Sequence, residues 1–386
     1  MCPRILLRVV VSLFMVPALT EARAQEAERQ YLSGRDRDQA VAWQLGKFRR
    51  PDEVTDGFTV VAQGTAKPEA SIAPGARGKL QLGLPRDWRQ ADALALRIDD
   101  PTGRELWTWV WPLPHAGDFQ TVPVAPGKQQ VTAAETGDRI SIRAGDPQIA
   151  FSKQTGWLTA VERSGQAFSL VNGPRLATGQ ATLAGIEHHA DGSDYLVTAA
   201  YSGNMKSLRW RIRSNGWVQL DYSYNLIGAH EFFGISFDYP EAKVKGMTWL
   251  GSGPYRVWKN RMSGTTLNVW ENAYNNTITG AGPWKYPEFK GYYAGVRRVQ
   301  FQTSEGPITA LVPQEDLFLQ VLVPEFPDAL LAGRTMVSFP AAGISFLHAI
   351  PGIGNKSVFA AGTGPQGEKS LARGDYRGSV YFFFGK

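Results

Sequence analysis

The feature that most restricts the fold of this chain is a series of period-two apolar segments broken by Gly, Pro and Asn. Between residues 208 and 224, Leu208, Trp210 and Ile212 fall on one face, Ser214-Asn215-Gly216 interrupts, and Val218, Leu220, Tyr222 and Tyr224 answer on the second arm. Period-two alternation places one face of a strand on a core, and Asn-Gly supplies the positive φ that a tight hairpin needs. The same grammar recurs. Segments 149–152 and 157–162 flank Lys153-Gln154-Thr155-Gly156, and 79–84 puts Leu80, Leu82 and Leu84 on one face. Segment 93–98 alternates as well, and 106–113 places Trp107, Trp109 and Trp111 on one side. Turns such as Ala73-Pro74-Gly75 and Asp100-Pro101-Thr102-Gly103 separate these segments, and few stretches show a helical period. The expectation is an all-β chain: a small β-sandwich at 51–135, then a large antiparallel β domain at 136–386. Residues 114–137, rich in Pro, Gly, Ala and Thr, read as a linker plus an edge strand. No internal repeat is visible.

The first residues read as an export signal. Arg4 and Arg8 precede an apolar run from Ile5 to Leu19, and Ala22-Arg23-Ala24 forms a small-residue cleavage site. Removal of 1–24 leaves a chain beginning near Gln25 that is secreted or periplasmic, with no later segment apolar enough to span a membrane. The single cysteine, Cys2, lies in that leader, so disulfides, thiol nucleophiles and thiolate metal sites are not expected in the mature chain. Arg4, Arg8 and Arg23 against Glu21 account for +2 of the formal charge of +6, and the remaining +4 is spread without a block of like charge. That pattern argues against nucleic-acid binding. Twelve Trp and thirteen Tyr are many for this length. They fill cores, and in exported proteins they also serve as platforms for sugar rings.

Three stretches carry a resemblance. Ile72-Ala73-Pro74-Gly75, then 80–85, then 99–109 with Glu105-Leu106-Trp107-Thr108-Trp109, resembles the immunoglobulin-like domain that follows the catalytic barrel in family 2 glycoside hydrolases of the β-galactosidase type. Ile149 through Leu158, with Gly173-Pro174-Arg175, resembles the opening of that family's last domain, a β-supersandwich similar to galactose mutarotase. Trp249-Leu250-Gly251-Ser252-Gly253-Pro254-Tyr255, Lys259-Asn260-Arg261, Val269-Trp270-Glu271 and Tyr286-Pro287-Glu288 resemble its most recognisable part. Together they cover roughly 55–386. Tyr31-Leu32-Ser33-Gly34 through Ala42-Trp43 resembles the start of the family's opening sugar-binding domain. The resemblance thus implies an internally deleted relative without its barrel, in which 25–50 is a short N-terminal remnant lacking a partner domain. The fold it implies is a small β-sandwich followed by a galactose-mutarotase-like β-supersandwich.

A retaining glycosidase needs two carboxylates about 5–5.5 Å apart across the scissile bond. In the family both lie on the barrel, so no catalytic residue transfers to this chain. Glu187-His188-His189 lacks a third metal ligand nearby and reads as an exposed loop before Ala190-Asp191-Gly192. His230 reads as a rim or buried histidine, and His348, inside an apolar segment, as a core or interface residue. No metal or cofactor is expected. The densest polar-aromatic stretch is 255–293. Its carbohydrate-binding candidates are Trp258, Asn260, Arg261, Trp270, Glu271, Trp284, Tyr286 and Glu288. Indole and phenol rings stack on the C–H faces of sugars, while Asn, Arg and Glu pair with their hydroxyls. In the family this stretch also packs the last domain, and an Arg261 ion pair with Glu271 or Glu288 is the competing reading. The residues at 361–365 hold no Trp where the family can offer an aromatic to galactose. The expected function is binding of carbohydrate, such as a galactose-containing oligosaccharide, or an accessory role; a remnant whose domains fold but bind nothing is the structural alternative. The alternatives are a subunit of a split β-galactosidase with a separate catalytic chain, and a sugar epimerase using His188 or His230 with Glu271 or Glu288.

Overall fold

The computed structural model describes residues 5–9, 30–34, 41–48, 58–67, 76–100, 102–113, 127, 130–273, 290–321, 337–355 and 357–385. The chain is all-β, and no helix of seven or more residues occurs among the described residues. It divides into two compact units, 1–49 with 55–119, and 120–386 with 50–54.

The smaller unit holds β1 (Ile5–Val9), β2 (Gln30–Gly34), β3 (Val41–Phe48), β4 (Phe58–Ala66), β5 (Arg77–Gly78), β6 (Ala93–Asp99) and β7 (Glu105–Pro112). Strands β2, β1 and β5 form one small sheet, and β4-β3-β6-β7 form an antiparallel sheet. The division placed at residue 50 from sequence therefore cuts a sheet. Strand β3 is no loose remnant: it pairs with β4 across that division and with β6 on its other side. Trp43 and Leu45 on β3 are buried with Leu96 and Ile98 of β6. Gly64 opposes Trp43, and a Cβ there would stand 2.5 Å from the indole ring. Leu80, Leu82 and Leu84 pack on this core as their spacing predicts, yet apart from a bridge at Leu80 they form no strand. Alternation reports a shared face and not a hydrogen-bonded neighbour.

The larger unit contains β8 (Val131–Thr136), β9 (Arg139–Ala144), β10 (Gln148–Ser152), β11 (Leu158–Arg163), β12 (Gln166–Phe168), β13 (Val171–Leu176), β14 (Ala181–Asp191), β15 (Asp194–Gly203) and β16 (Met205–Ile212). It continues with β17 (Val218–His230), β18 (Phe233–Asp238), β19 (Val244–Gly253), β20 (Thr266–Ala273), β21 (Arg298–Thr303), β22 (Ile308–Leu311), β23 (Phe318–Val321), β24 (Ile344–Ala349) and β25 (Ser370–Phe384). Two nine-stranded sheets result. One runs β23-β24-β18-β13-β11-β10-β9-β8, with β12 beside β11; the other runs β14-β15-β16-β17-β25-β22-β21-β19-β20. Strand β8 belongs to the first sheet, so this unit starts before residue 136.

One core lies between the two sheets. Phe151 meets Trp210 at 5.2 Å, Trp210 meets Phe237 at 6.4 Å, and Phe382 meets Phe237 at 5.5 Å and Phe346 at 6.0 Å. Each of these ring pairs joins one sheet to the other. Tilted and edge-on pairs suit the ring quadrupoles and add about 0.5–1.5 kcal/mol each beyond burial. The 208–224 hairpin forms as read, with Leu208, Trp210, Ile212, Leu220 and Tyr224 fully buried. Of the Asn-Gly pair only Gly216 takes positive φ (88°), so the loop is a wider turn closed by Arg213 N–H to the Trp217 carbonyl.

Candidate functional site

The sequence-predicted stretch begins on the β19–β20 hairpin. Trp249 and Trp270 sit opposite each other, as do Thr248 and Glu271. Trp249 is core, while Trp270 is partly buried and lies over Gly253, where a Cβ would approach its ring to 2.5 Å. The Trp270 indole donates to the Thr266 carbonyl at 3.1 Å. Glu271 is exposed on edge strand β20 and accepts from Gln302 at 3.4 Å. Trp258 is buried, edge-on to Tyr292 at 5.5 Å and 5.5 Å from Phe339, so its ring is packing and not a platform. Trp284, Tyr286 and Glu288 lie outside the described residues.

Asn260 and Arg261 have a different task from the ion pair considered from sequence. Asn260 Nδ2 donates to the Ile353 carbonyl and to Thr363 Oγ1, both at 2.8 Å, and its Oδ1 accepts from Ile353 N–H at 2.9 Å. Arg261 Nη2 donates to the Gly354 carbonyl at 2.9 Å. Lys259 adds its N–H to the Pro351 carbonyl and its ammonium to the Glu368 carbonyl. The loop at 254–265 is thereby zipped to the loop at 351–369. Carbonyls that would otherwise need water are satisfied by side chains of fixed geometry, which holds both loops in one shape.

The zipped loops expose four large apolar side chains: Tyr255 (41 %), Met262 (40 %), Val358 (37 %) and Phe359 (59 %). Residues 361–365 hold no aromatic; Phe359 stands just before them. Asn260 reaches this loop through Ile353 and Thr363, about a hundred residues further on, so no local pattern announced the surface. Beneath the loops, the Trp258 indole N–H and the Tyr292 hydroxyl are buried without a partner. Burial first, then the nearby Glu231 charge, pushes Tyr292 well above the usual phenol range, so its O–H stays a donor.

The histidines occupy three separate places. His188 lies on strand β14, not in a loop as its sequence suggested; the strand runs through Ala190 and Asp191, and the turn falls at Gly192-Ser193. Its Nε2 donates to Glu135 at 2.7 Å, and its Nδ1 lies 2.9 Å from the Tyr195 hydroxyl. Lys153 and then His188 hold the Glu135 carboxyl below its ordinary range. This cluster joins β8 of one sheet to β14 and β15 of the other. His230, at the end of β17, contacts the Ile227 carbonyl and the Phe233 ring. His348 lies in the core side of β24, among Tyr222, Tyr224 and Tyr376.

Of the acid/base pairs considered for an epimerase, those with Glu271 do not meet, and Glu288 lies outside the described residues. His188 and Glu271 stand on the two edge strands of one nine-stranded sheet. At a strand spacing of about 4.8 Å, eight intervals amount to roughly 38 Å along the sheet from His188 to Glu271, and five intervals to roughly 24 Å along it from His230. Among the described residues no group of three or more His, Cys, Asp or Glu is placed to hold a metal ion, and no helix is long and apolar enough to cross a membrane.

No family model matches the chain, and no curated protein matches it.

Proposed function

We propose that this chain is a carbohydrate-binding relative of the β-galactosidase-type family 2 glycoside hydrolases, lacking their barrel and acting outside the cytoplasm on galactose-containing oligosaccharides. The observation that carries the reading is the pair of aromatics, Tyr255 and Phe359, exposed on two loops that Asn260 and Arg261 fix to each other. Rigid aromatic faces lose little entropy on stacking with a sugar, and the loops need no rearrangement to present them. The all-β two-sheet architecture is what the resemblance implies, and the stretch around Tyr255 is where that resemblance is most specific. Any separate catalytic chain would be a further partner of the same protein.

Affinity rests on stacking plus a few hydrogen bonds that compete with water, so the expected Kd is roughly millimolar, near −4 kcal/mol. Hydroxyl-radical footprinting tests the location, because Tyr, Met and Phe side chains report directly. Galactose-containing tetrasaccharide should protect Tyr255, Met262 and Phe359. Equal oxidation with and without the sugar would sink the proposal.

A further inference from the structure

A groove of about 750 Å³ opens in the first sheet of the larger unit, well away from the zipped loops in sequence. Strand β11 contributes Ala160, the chain from β12 to β13 contributes Ala167, Ser169 and Val171, and Asp238 to Pro240 close the far side with Ala341 and Ala342. Its size lies within the range of small-molecule sites, and its small side chains leave the space open.

Both walls are built. On one side Glu305, whose side chain is 8 % exposed, accepts from Ser169 Oγ at 2.6 Å, Ser169 N–H at 3.0 Å and the Tyr239 hydroxyl at 3.0 Å, and from Lys243. Burial pushes the Glu305 carboxyl up, but these donors outweigh it and hold it below its ordinary range. On the other side the fully buried Gln320 donates to the carbonyls of Pro340 (3.2 Å) and Ala342 (3.1 Å), and Arg175 donates to the Ala341 carbonyl at 2.8 Å.

One edge is polar in a particular way. Asp238 accepts from Asn172 Nδ2 at 2.9 Å and from Arg175 Nη2. Its side chain remains 39 % exposed and that of Arg175 30 %. A carboxylate has about four lone-pair sites, so Asp238 keeps acceptor capacity beside two donor-bearing neighbours. Adjacent donors and acceptors match a vicinal diol, whose hydroxyls both give and take hydrogen bonds. The carboxylate is already balanced by the guanidinium, so the matching ligand is uncharged. Val171 and Pro240 supply apolar surface next to this edge.

We infer that this groove is a second carbohydrate subsite, taking one neutral pyranose with its C–H face on Val171 and Pro240 and a vicinal diol on Asp238. The ligand class rests on the carbohydrate reading above; the site does not depend on the Tyr255–Phe359 surface.

The test uses the whole chain with alanine methyls labelled for NMR, titrated with methyl β-galactoside and, separately, with decanoate as an apolar probe. The Ala160, Ala167 and Ala342 methyls should shift with the galactoside and saturate at roughly millimolar concentration. Asp238→Asn should weaken that titration at least tenfold. Ala341→Trp, at an exposed wall position, should abolish it while leaving the remaining methyl spectrum in place. Tyr255→Ala should leave it unchanged, so failure of the loop surface and failure of the groove are read separately. Groove methyls that ignore the galactoside, that respond to decanoate instead, or that respond equally in Asp238→Asn would overturn the inference.

Discussion

Replacing Tyr224 with Phe is expected to loosen the two sheets of the larger unit and to expose the protonation state of His348. His348 Nε2 lies 3.2 Å from the Arg377 carbonyl, and Nδ1 lies 2.8 Å from the Tyr224 hydroxyl. A carbonyl only accepts, so Nε2 carries the proton. The neutral ring therefore presents a bare Nδ1, and Tyr224 donates to it. Tyr224 is on β17 and His348 on β24, so this bond crosses the sandwich. Tyr224 is fully buried. Removing its hydroxyl leaves the Nδ1 lone pair without a donor, which costs about 1–3 kcal/mol. For a unit of this size a loss of about 2 kcal/mol corresponds to a fall in Tm of roughly 4–8 °C.

The pH dependence has a definite sign. Burial depresses the His348 pKa below its ordinary 6.5, against smaller raising effects of the Arg377 carbonyl and the Asp316 charge. The unfolded chain then binds a proton at a pH where the folded chain does not. Stability from this site is fully present above about 6.5 and is lost as pH falls toward the depressed folded value. Thermal unfolding followed by near-ultraviolet circular dichroism between pH 5 and 8 reads both effects. His348→Asn should flatten the slope below pH 6.5. A Tyr224→Phe protein as stable as the parent, or an unchanged slope in His348→Asn, would refute the reasoning.

Other consequences are open to direct measurement. Phe382→Ala removes the ring shared by Phe237 and Phe346 and should cost about 3–5 kcal/mol in denaturant unfolding. Glu305→Gln should destabilise by about 2 kcal/mol near neutral pH and flatten the acid limb below about pH 4.5, since a carboxyl held low stabilises only above its unfolded pKa. The purified chain should release no nitrophenol from nitrophenyl β-galactoside, and turnover abolished by Glu271→Gln would reveal an active site on β20.

The strand pattern was legible wherever alternation and a turn signal fell together, as in the hairpins around Gly156 and Gly216. It misled where only one of the two was present. The Leu80, Leu82 and Leu84 series identified a partly buried face but supplied no pairing partner, and the segment before residue 50, read as a short remnant, holds a central strand carrying Trp43 and Leu45. His188 looked like a loop residue because its partner Glu135 lies 53 residues away. The candidate stretch was located by its density of Trp, Asn and Arg, but their individual roles were not. Trp258 went to the core, and Asn260 and Arg261 went to backbone carbonyls near residue 353. Such long-range hydrogen bonds leave no periodic trace in the sequence.

Carbohydrate binding by the zipped loops is tested most directly by an equilibrium titration of the intact chain with a galactose-containing tetrasaccharide, beside a Tyr255→Ala, Phe359→Ala double variant. The expected result is saturable binding at roughly millimolar concentration in the parent, reduced at least tenfold in the variant, with Tm within a few degrees because neither side chain is part of the buried core. Binding of equal strength in the two proteins, or none in the parent up to 50-fold above about 1 mM, would contradict it.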